Sequence, residues 1–148
     1  LRTPLLIRYP EEIKAGTVCD KMVQNIDFAA TFLDYAGIEI PKDIQGESFR
    51  KLLNGKSSKW RDAIYYHYYE YPKPRLVMPN YGIRTERYKL IRYYGEINEW
   101  ELYDLEKDPR EMKSVYDDPA YAKVRAQLHK KLVALQKKYK DTNPEAPL

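Results

Sequence analysis

Cysteine is nearly absent from this chain. Cys19 stands alone among 148 residues, which excludes an internal disulfide and any zinc site built on paired cysteines. Histidine is almost as scarce: only His67 and His129 offer side chains that titrate near neutrality unaided. No run of about 18 apolar residues occurs, so no segment reads as a membrane-spanning helix. Glycine is thin, with six residues, and none belongs to a Gly-rich phosphate loop or a Gly-x-Ser-x-Gly motif. The charge excess is small, +4 at pH 7, and its lysines and arginines are spread along the chain, which leaves no concentrated footprint for nucleic acid. The sequence opens at Leu1 without a Met or a signal peptide, and reads as a piece of a longer protein.

What is present is a folded chain rich in tyrosine. Hydrophobic residues make up 43% and charged residues 32%, a balance that places it among globular rather than disordered sequences. Fifteen tyrosines outnumber three phenylalanines and two tryptophans. A side chain with an apolar body and a polar tip suits half-buried sheets and sugar-binding or partner surfaces equally.

The first third has an α/β pattern. Leu5-Leu6-Ile7-Arg8-Tyr9, closed by Pro10, reads as a short buried strand. Asp27 is placed as the N-cap of a helix running to Ala36, with Phe28, Phe32 and Tyr35 on its covered face and Gly37 at the left-handed C-terminal position. Glu47 to Leu53 reads as one or two helical turns ended by Asn54-Gly55. The polar stretch Lys56 to Lys59 is the best internal boundary and divides the chain into 1–58 and 59–148.

The remainder reads as a sheet with a helix on it. Ala63 to Tyr71 is a β-rich run whose alternation sets Ile64, Tyr66, Tyr68 and Glu70 on one face and Tyr65, His67, Tyr69 and Tyr71 on the other. A Pro-rich loop, Pro72 to Pro79, follows. Tyr81 to Leu105 then supplies three short strands, with Thr85-Glu86-Arg87 as a tight turn and Gly95 to Glu99 as a hairpin loop. Asp117-Asp118-Pro119 starts a long helix, along which Tyr121, Val124, Leu128, Leu132, Leu135 and Tyr139 recur at spacings of three and four. Asp141 to Leu148 is a polar, proline-containing tail that should fray.

Chemistry is sparse. His67 lies in a tyrosine-rich strand running into a Pro-rich loop, and reads either as a sheet histidine packed by tyrosines or as a ligand contact. His129 lies beside the helix stripe among lysines and reads as solvated. Asp104, Asp108, Glu111, Asp117 and Asp118 match no calcium-loop spacing, and turn and cap roles suit them better. Arg84 and Arg87 are expected to pair across the sheet with Glu86, Glu96 or Glu101. Two non-enzymatic readings stay open on these residues: a carbohydrate- or anion-binding module, and a nucleic-acid binder that stacks bases on tyrosine.

An ordered set of segments carries a resemblance over nearly the whole chain. Arg2-Thr3-Pro4-Leu5-Leu6-Ile7-Arg8-Tyr9-Pro10 precedes Asn25 to Ile38, then Gln45-Gly46-Glu47-Ser48-Phe49, Trp60-Arg61-Asp62, Gly82 to Ile91, Glu101 to Leu105 and Asp108-Pro109-Arg110-Glu111. The set resembles the C-terminal portion of a formylglycine-dependent sulfatase of the alkaline-phosphatase-like superfamily. Ala30 stands where that helix often has Pro, and Ser114 where the Asp-Pro-x-Glu-x-x-Asn signature has Asn.

The resemblance implies an α/β protein (α+β for this piece): the last strand and helix of an α/β sulfatase domain, then a four-stranded antiparallel sheet packed by a long helix. It implies a parent enzyme that hydrolyses sulfate esters, with sulfated sugars of the glycosaminoglycan type as its substrates. It implies a calcium ion and a formylglycine in that parent, neither held by residues of this chain. Cys19 is followed by Asp20-Lys21-Met22-Val23 rather than x-Pro-x-Arg, so it is not the nucleophile, and no catalytic or metal residue is assigned here. The implied partners are the rest of the catalytic domain upstream of Leu1 and a sulfated carbohydrate, with no nucleic acid and no membrane. Proteins of this family are usually exported, to the periplasm, the extracellular space or the lysosome. The C-terminal sheet often reaches the rim of the substrate pocket, and Ala63 to Pro72 is the segment placed there, with His67 and Tyr69 as substrate-binding residues.

Overall fold

A computed structural model describes residues 3–56, 59–71 and 77–142 of the chain. The chain divides into two compact units, Leu1–Arg61 and Asp62–Leu148. The division falls after Arg61 because Trp60 and Arg61 are fastened into the first unit. The Trp60 indole N–H donates to the Met22 carbonyl at 2.7 Å, and Arg61 forks onto Asp27 at 2.6 and 2.7 Å. Ser57 and Ser58, in the polar stretch expected to mark the boundary, lie outside the described residues, as do Pro72 to Leu76 of the Pro-rich loop, the last six residues and Arg2.

The first unit holds two helices, α1 (Asp27–Tyr35) and α2 (Arg50–Leu53). Leu5–Tyr9 was expected to be a strand, but it makes no ladder. Among the described residues of this unit there is no second strand to pair with it, and a lone strand leaves its backbone groups unmade. Leu6 is 95% exposed.

Asp27 is not the N-cap of α1 either; Ile26 is, and it makes no side-chain cap. Asp27 is instead the first helical residue, fully buried. Its carboxylate accepts from the Gln24 N–H at 2.7 Å and the Glu47 N–H at 3.0 Å as well as from Arg61. A buried carboxylate needs such partners, because desolvating it alone is prohibitive. The fully buried residues of α1 are Asp27, Ala30 and Thr31; of the face expected from sequence, Phe28 and Tyr35 are half-buried, Phe28 edge-on to Phe49 at 5.9 Å, while Phe32 is 69% exposed. Gly46 makes this packing possible: a Cβ there would land inside the Ile26 carbonyl. The C-terminus of α1 follows expectation. Gly37 has φ of 69°, with Gly37 N–H on the Asp34 carbonyl at 3.1 Å and Ile38 N–H on the Leu33 carbonyl at 2.9 Å, a Schellman motif.

The second unit is an antiparallel meander in the order β1-β2-β3-β4: β1 (Ala63–Tyr68), β2 (Asn80–Thr85), β3 (Tyr88–Tyr93) and β4 (Trp100–Asp104). A single 3-10 turn, Pro119–Tyr121, capped by the Asp118 carboxylate on the Ala120 N–H at 2.9 Å, leads into α3 (Ala122–Lys138). The register pairs Tyr65 with Ile83, Ile83 with Leu90 and Leu90 with Leu102. Side chains alternate across a strand, so these four share one face. Leu128 and Leu132 of α3 join them in one cluster. Ile83, Leu90 and Leu102 are fully buried, each contributing about 1.5–3 kcal/mol by removal from water.

On the opposite face Tyr66 lies over Gly82, its cross-strand partner, and fills the space a side chain there would need. Burial raises the Tyr66 hydroxyl pKa well above the usual phenol value, so it stays a neutral hydroxyl.

Some sequence expectations change in this unit. His129 is not solvated: it is half-buried, its ring 4.3 Å from the Trp100 centroid and its Nε2 3.2 Å from the Tyr116 hydroxyl. Burial, with Arg125 adding to it, holds its pKa below the usual imidazole value. Arg87 does not pair across the sheet with Glu86, Glu96 or Glu101; it binds Asp104 at 2.8 Å and Glu106 at 2.9 Å. Of the acidic residues in 104–118, Asp108 and Asp118 take the turn and cap roles expected, while Asp104 and Glu111 are held by basic side chains. Asp108 accepts from the Met112 and Lys113 N–H groups at 2.7 and 2.9 Å, and Glu111 pairs with Lys89. Ser114 does the turn work expected of Asn, accepting from the Leu102 and Tyr116 N–H groups at 3.2 and 3.3 Å.

Candidate substrate-rim site

The site is built at one end of the sheet. β1 carries His67 and continues to Tyr69 and Tyr71; Pro79 leads into β2; Tyr94, Gly95 and Glu96 leave β3. Gly95 turns the chain with φ of 85°, a conformation that favours glycine. Tyr69, Tyr71, Pro79, Tyr94, Gly95 and Glu96 line an open cleft of about 300 Å³. That lies at the lower end of the range for small-ligand sites, roughly 300–1,000 Å³. The Tyr71 hydroxyl donates to Glu96 at 3.2 Å, which steadies one wall and keeps the Tyr71 phenol above its ordinary pKa. Tyr69, which also lines the cleft, is 70% exposed. Tyrosine rings and a carboxylate are groups that sugar C–H faces and hydroxyls use.

His67 sits beneath the cleft rather than in it. Its side chain is 9% exposed. Nδ1 lies 2.6 Å from the Asp141 carboxylate and Nε2 lies 2.8 Å from the Tyr94 hydroxyl, so both ring nitrogens are engaged. Tyr69, Tyr81 and Tyr94 surround the ring edge-to-face, with centroids 5.6, 5.7 and 5.7 Å away. Of the two residues placed at the rim from sequence, Tyr69 therefore meets the solvent of the cleft, and His67 reaches it through Tyr69 and Tyr94.

Asp141 is the residue that sequence reasoning missed. It falls in the tail expected to fray, yet it accepts from the Tyr65 hydroxyl as well as contacting His67. Burial and then Asp141 push the Tyr65 phenol pKa far up, which keeps Tyr65 a donor. The signal that could have found Asp141 is its position just past the last apolar helix residue, Tyr139, whose ring stacks on Tyr65 at 6.2 Å.

No described group of three or more His, Cys, Asp or Glu side chains is arranged to hold a metal ion. Cys19 is exposed and lacks the sequence context for conversion to formylglycine.

Comparison with known proteins gives this geometry its context. The family described as N-sulphoglucosamine sulphohydrolase, C-terminal, matches residues 1–138. The chain is 50% identical over 147 residues to an N-acetylglucosamine-6-O-sulfatase of Bacteroides thetaiotaomicron, covering 97% of this chain and 26% of that protein. It is 36% identical over 106 residues to a Delta 4,5-hexuronate-2-O-sulfatase of the same organism, covering 69% of this chain and 21% of that one. A protein solved in complex with its substrate, D-glucosamine-2-N,6-O-disulfate, superposes with a TM-score of 0.90 at 47% identity, over 95% of this chain and 29% of that one. The chain thus spans about a quarter of the length of the curated relatives it matches.

Proposed function

Because the chain belongs to the N-sulphoglucosamine sulphohydrolase C-terminal family, we propose that it is the C-terminal part of a sulfuric ester hydrolase acting on sulfated sugars of the glycosaminoglycan type. The observation that carries this reading is the likeness, at a TM-score of 0.90, to a protein holding a disulfated glucosamine. The 50% identity to an N-acetylglucosamine-6-O-sulfatase narrows the substrate we assign to a 6-O-sulfated glucosamine.

Within that enzyme the chain supports rather than reacts. Sulfate ester cleavage needs an activated nucleophile and concentrated positive charge at the sulfate. Those groups, with the calcium and formylglycine of the family, would come from the remainder of the protein. The exposed apolar side chains of the first unit fit such a partner: Leu6 at 95%, Val18 at 82% and Phe32 at 69% exposure are surface an upstream catalytic domain would cover. The cleft at Tyr69, Tyr71 and Glu96 fits the rim role, contacting the sugar and not the sulfur.

The test is sulfate release from glucosamine 6-O-sulfate by this chain alone and by the protein that includes its upstream region. Release by the longer protein only is expected. Turnover by residues 1–148 alone would sink the supporting role; tight sugar binding by the longer protein without turnover would sink the hydrolase reading and favour a carbohydrate-binding module.

A further inference from the structure

We propose that Asp141 is a positioning residue for this cleft, acting through His67 on Tyr94 and Tyr69, and that the left-handed turn at Lys140 delivers it there. The proposal rests on the cleft being a sugar-contacting rim, and its structural half stands without that reading.

The geometry begins at the end of α3. Lys140 N–H bonds to the Lys137 carbonyl at 3.2 Å and Asp141 N–H to the Gln136 carbonyl at 3.0 Å, a Schellman motif. Its pivot is Lys140, with φ of 54°, a conformation glycine takes freely and a residue with a Cβ takes at a cost. The turn points Asp141 back at β1, where its carboxylate meets both Tyr65 and His67.

A carboxylate only accepts, so the Nδ1 of His67 must carry the proton. When the ring is neutral, the Nε2 lone pair then accepts a hydrogen bond from the Tyr94 hydroxyl. Asp141 thus sets the tautomer, the tautomer fixes the direction of the Tyr94 hydroxyl, and Tyr94 is the cleft floor, only 5% exposed. The same imidazole edge backs the Tyr69 ring. Aligning a ring through a buried acceptor on its far nitrogen is how histidines are oriented elsewhere. The sequence leaves Lys140 and Asp141 looking like tail, yet this is where they make their contacts.

Two measurements test it. Nitrogen NMR of this chain should show His67 as the Nδ1–H tautomer, with a mixture of tautomers in Asp141→Ala and unchanged spectra in Lys140→Gly, which keeps the turn. A dominant Nε2–H tautomer in the unaltered chain overturns the proposal outright. In the complete enzyme, Asp141→Ala should raise KM for glucosamine 6-O-sulfate by about tenfold with kcat little changed, a loss on the scale of one good hydrogen bond. Tyr69→Ala separates the two ideas. If Tyr69→Ala raises KM and Asp141→Ala does not, the positioning role is wrong. If neither raises KM while His67 keeps the Nδ1–H tautomer, Asp141 still orders the ring but the cleft is not a sugar rim, which overturns the proposal as a functional one.

Discussion

The two units of this chain are held together by different physics. The second has an apolar interior: Ile83, Leu90, Leu102 and Leu132 are at most 1% exposed, and one helix closes one face of a meander. The first has at its centre a charged pair. Asp27 is fully buried and bound by Arg61, Arg50 reaches both Glu12 and Asp34, and large apolar side chains stay in water. The first unit is fastened by ion pairs and leaves Leu6, Val18 and Phe32 exposed, while the second gathers its buried apolar residues into one cluster. The family match runs through both units, over residues 1–138.

The contrast can be broken by mutation. Asp27→Ala should be the most costly change in the first unit, about 3–5 kcal/mol, because it strands the Arg61 guanidinium without its partner. Hydrogen exchange should show the loss confined to residues 27–35, with β1 to β4 unaffected. Protection lost in the sheet as well would mean that the units do not fold separately. Leu90→Ala, at a fully buried site of the second unit, should cost about 2–5 kcal/mol and lower the melting transition of the sheet. Gly46→Ala should cost about 1–3 kcal/mol by overpacking against the Ile26 carbonyl, again in the first unit only.

Acid sharpens the comparison within the second unit. The Arg87 hydrogen bond, followed by the Arg87 charge, holds the Asp104 carboxyl below its usual range. An unfolded Asp titrates near 3.9, so this carboxylate stabilises the fold fully above about pH 4 and stops doing so as pH falls through the lower folded pKa. Stability of the sheet should therefore decline below about pH 4, and Asp104→Asn should flatten that decline. An unchanged slope in Asp104→Asn would show that other carboxylates dominate. The smallest effect expected is a gain: Lys140→Gly should stabilise the second unit by up to about 1–2 kcal/mol, by removing the left-handed strain at that residue.

The sheet and long helix were legible because their patterns are local. Period-two alternation in Tyr65-His67 and Tyr81-Ile83, the Thr85-Glu86-Arg87 turn and the three-and-four spacing from Tyr121 to Tyr139 each specify an element without distant partners. The first unit was less legible because its features depend on residues far apart. Nothing adjacent to Asp27 says that Arg61 will neutralise it, so a cap was the natural reading. Leu5–Tyr9 has the composition of a strand, but composition supplies no ladder partner. At the candidate site, the tyrosines and His67 stood out by type. Asp141 did not, because a polar residue past a helix end is usually solvated, and its role depends on a backbone turn at Lys140 that a lysine rarely makes.

The proposed role of this chain is that of the supporting C-terminal part of an enzyme that removes sulfate from an aminosugar. The most direct measurement is sulfate release from glucosamine 6-O-sulfate by the protein with its upstream region, before and after Tyr69→Ala. The expected result is turnover that persists in the variant with a raised KM. No sulfate release from any sulfated glucosamine by the intact protein would contradict the account.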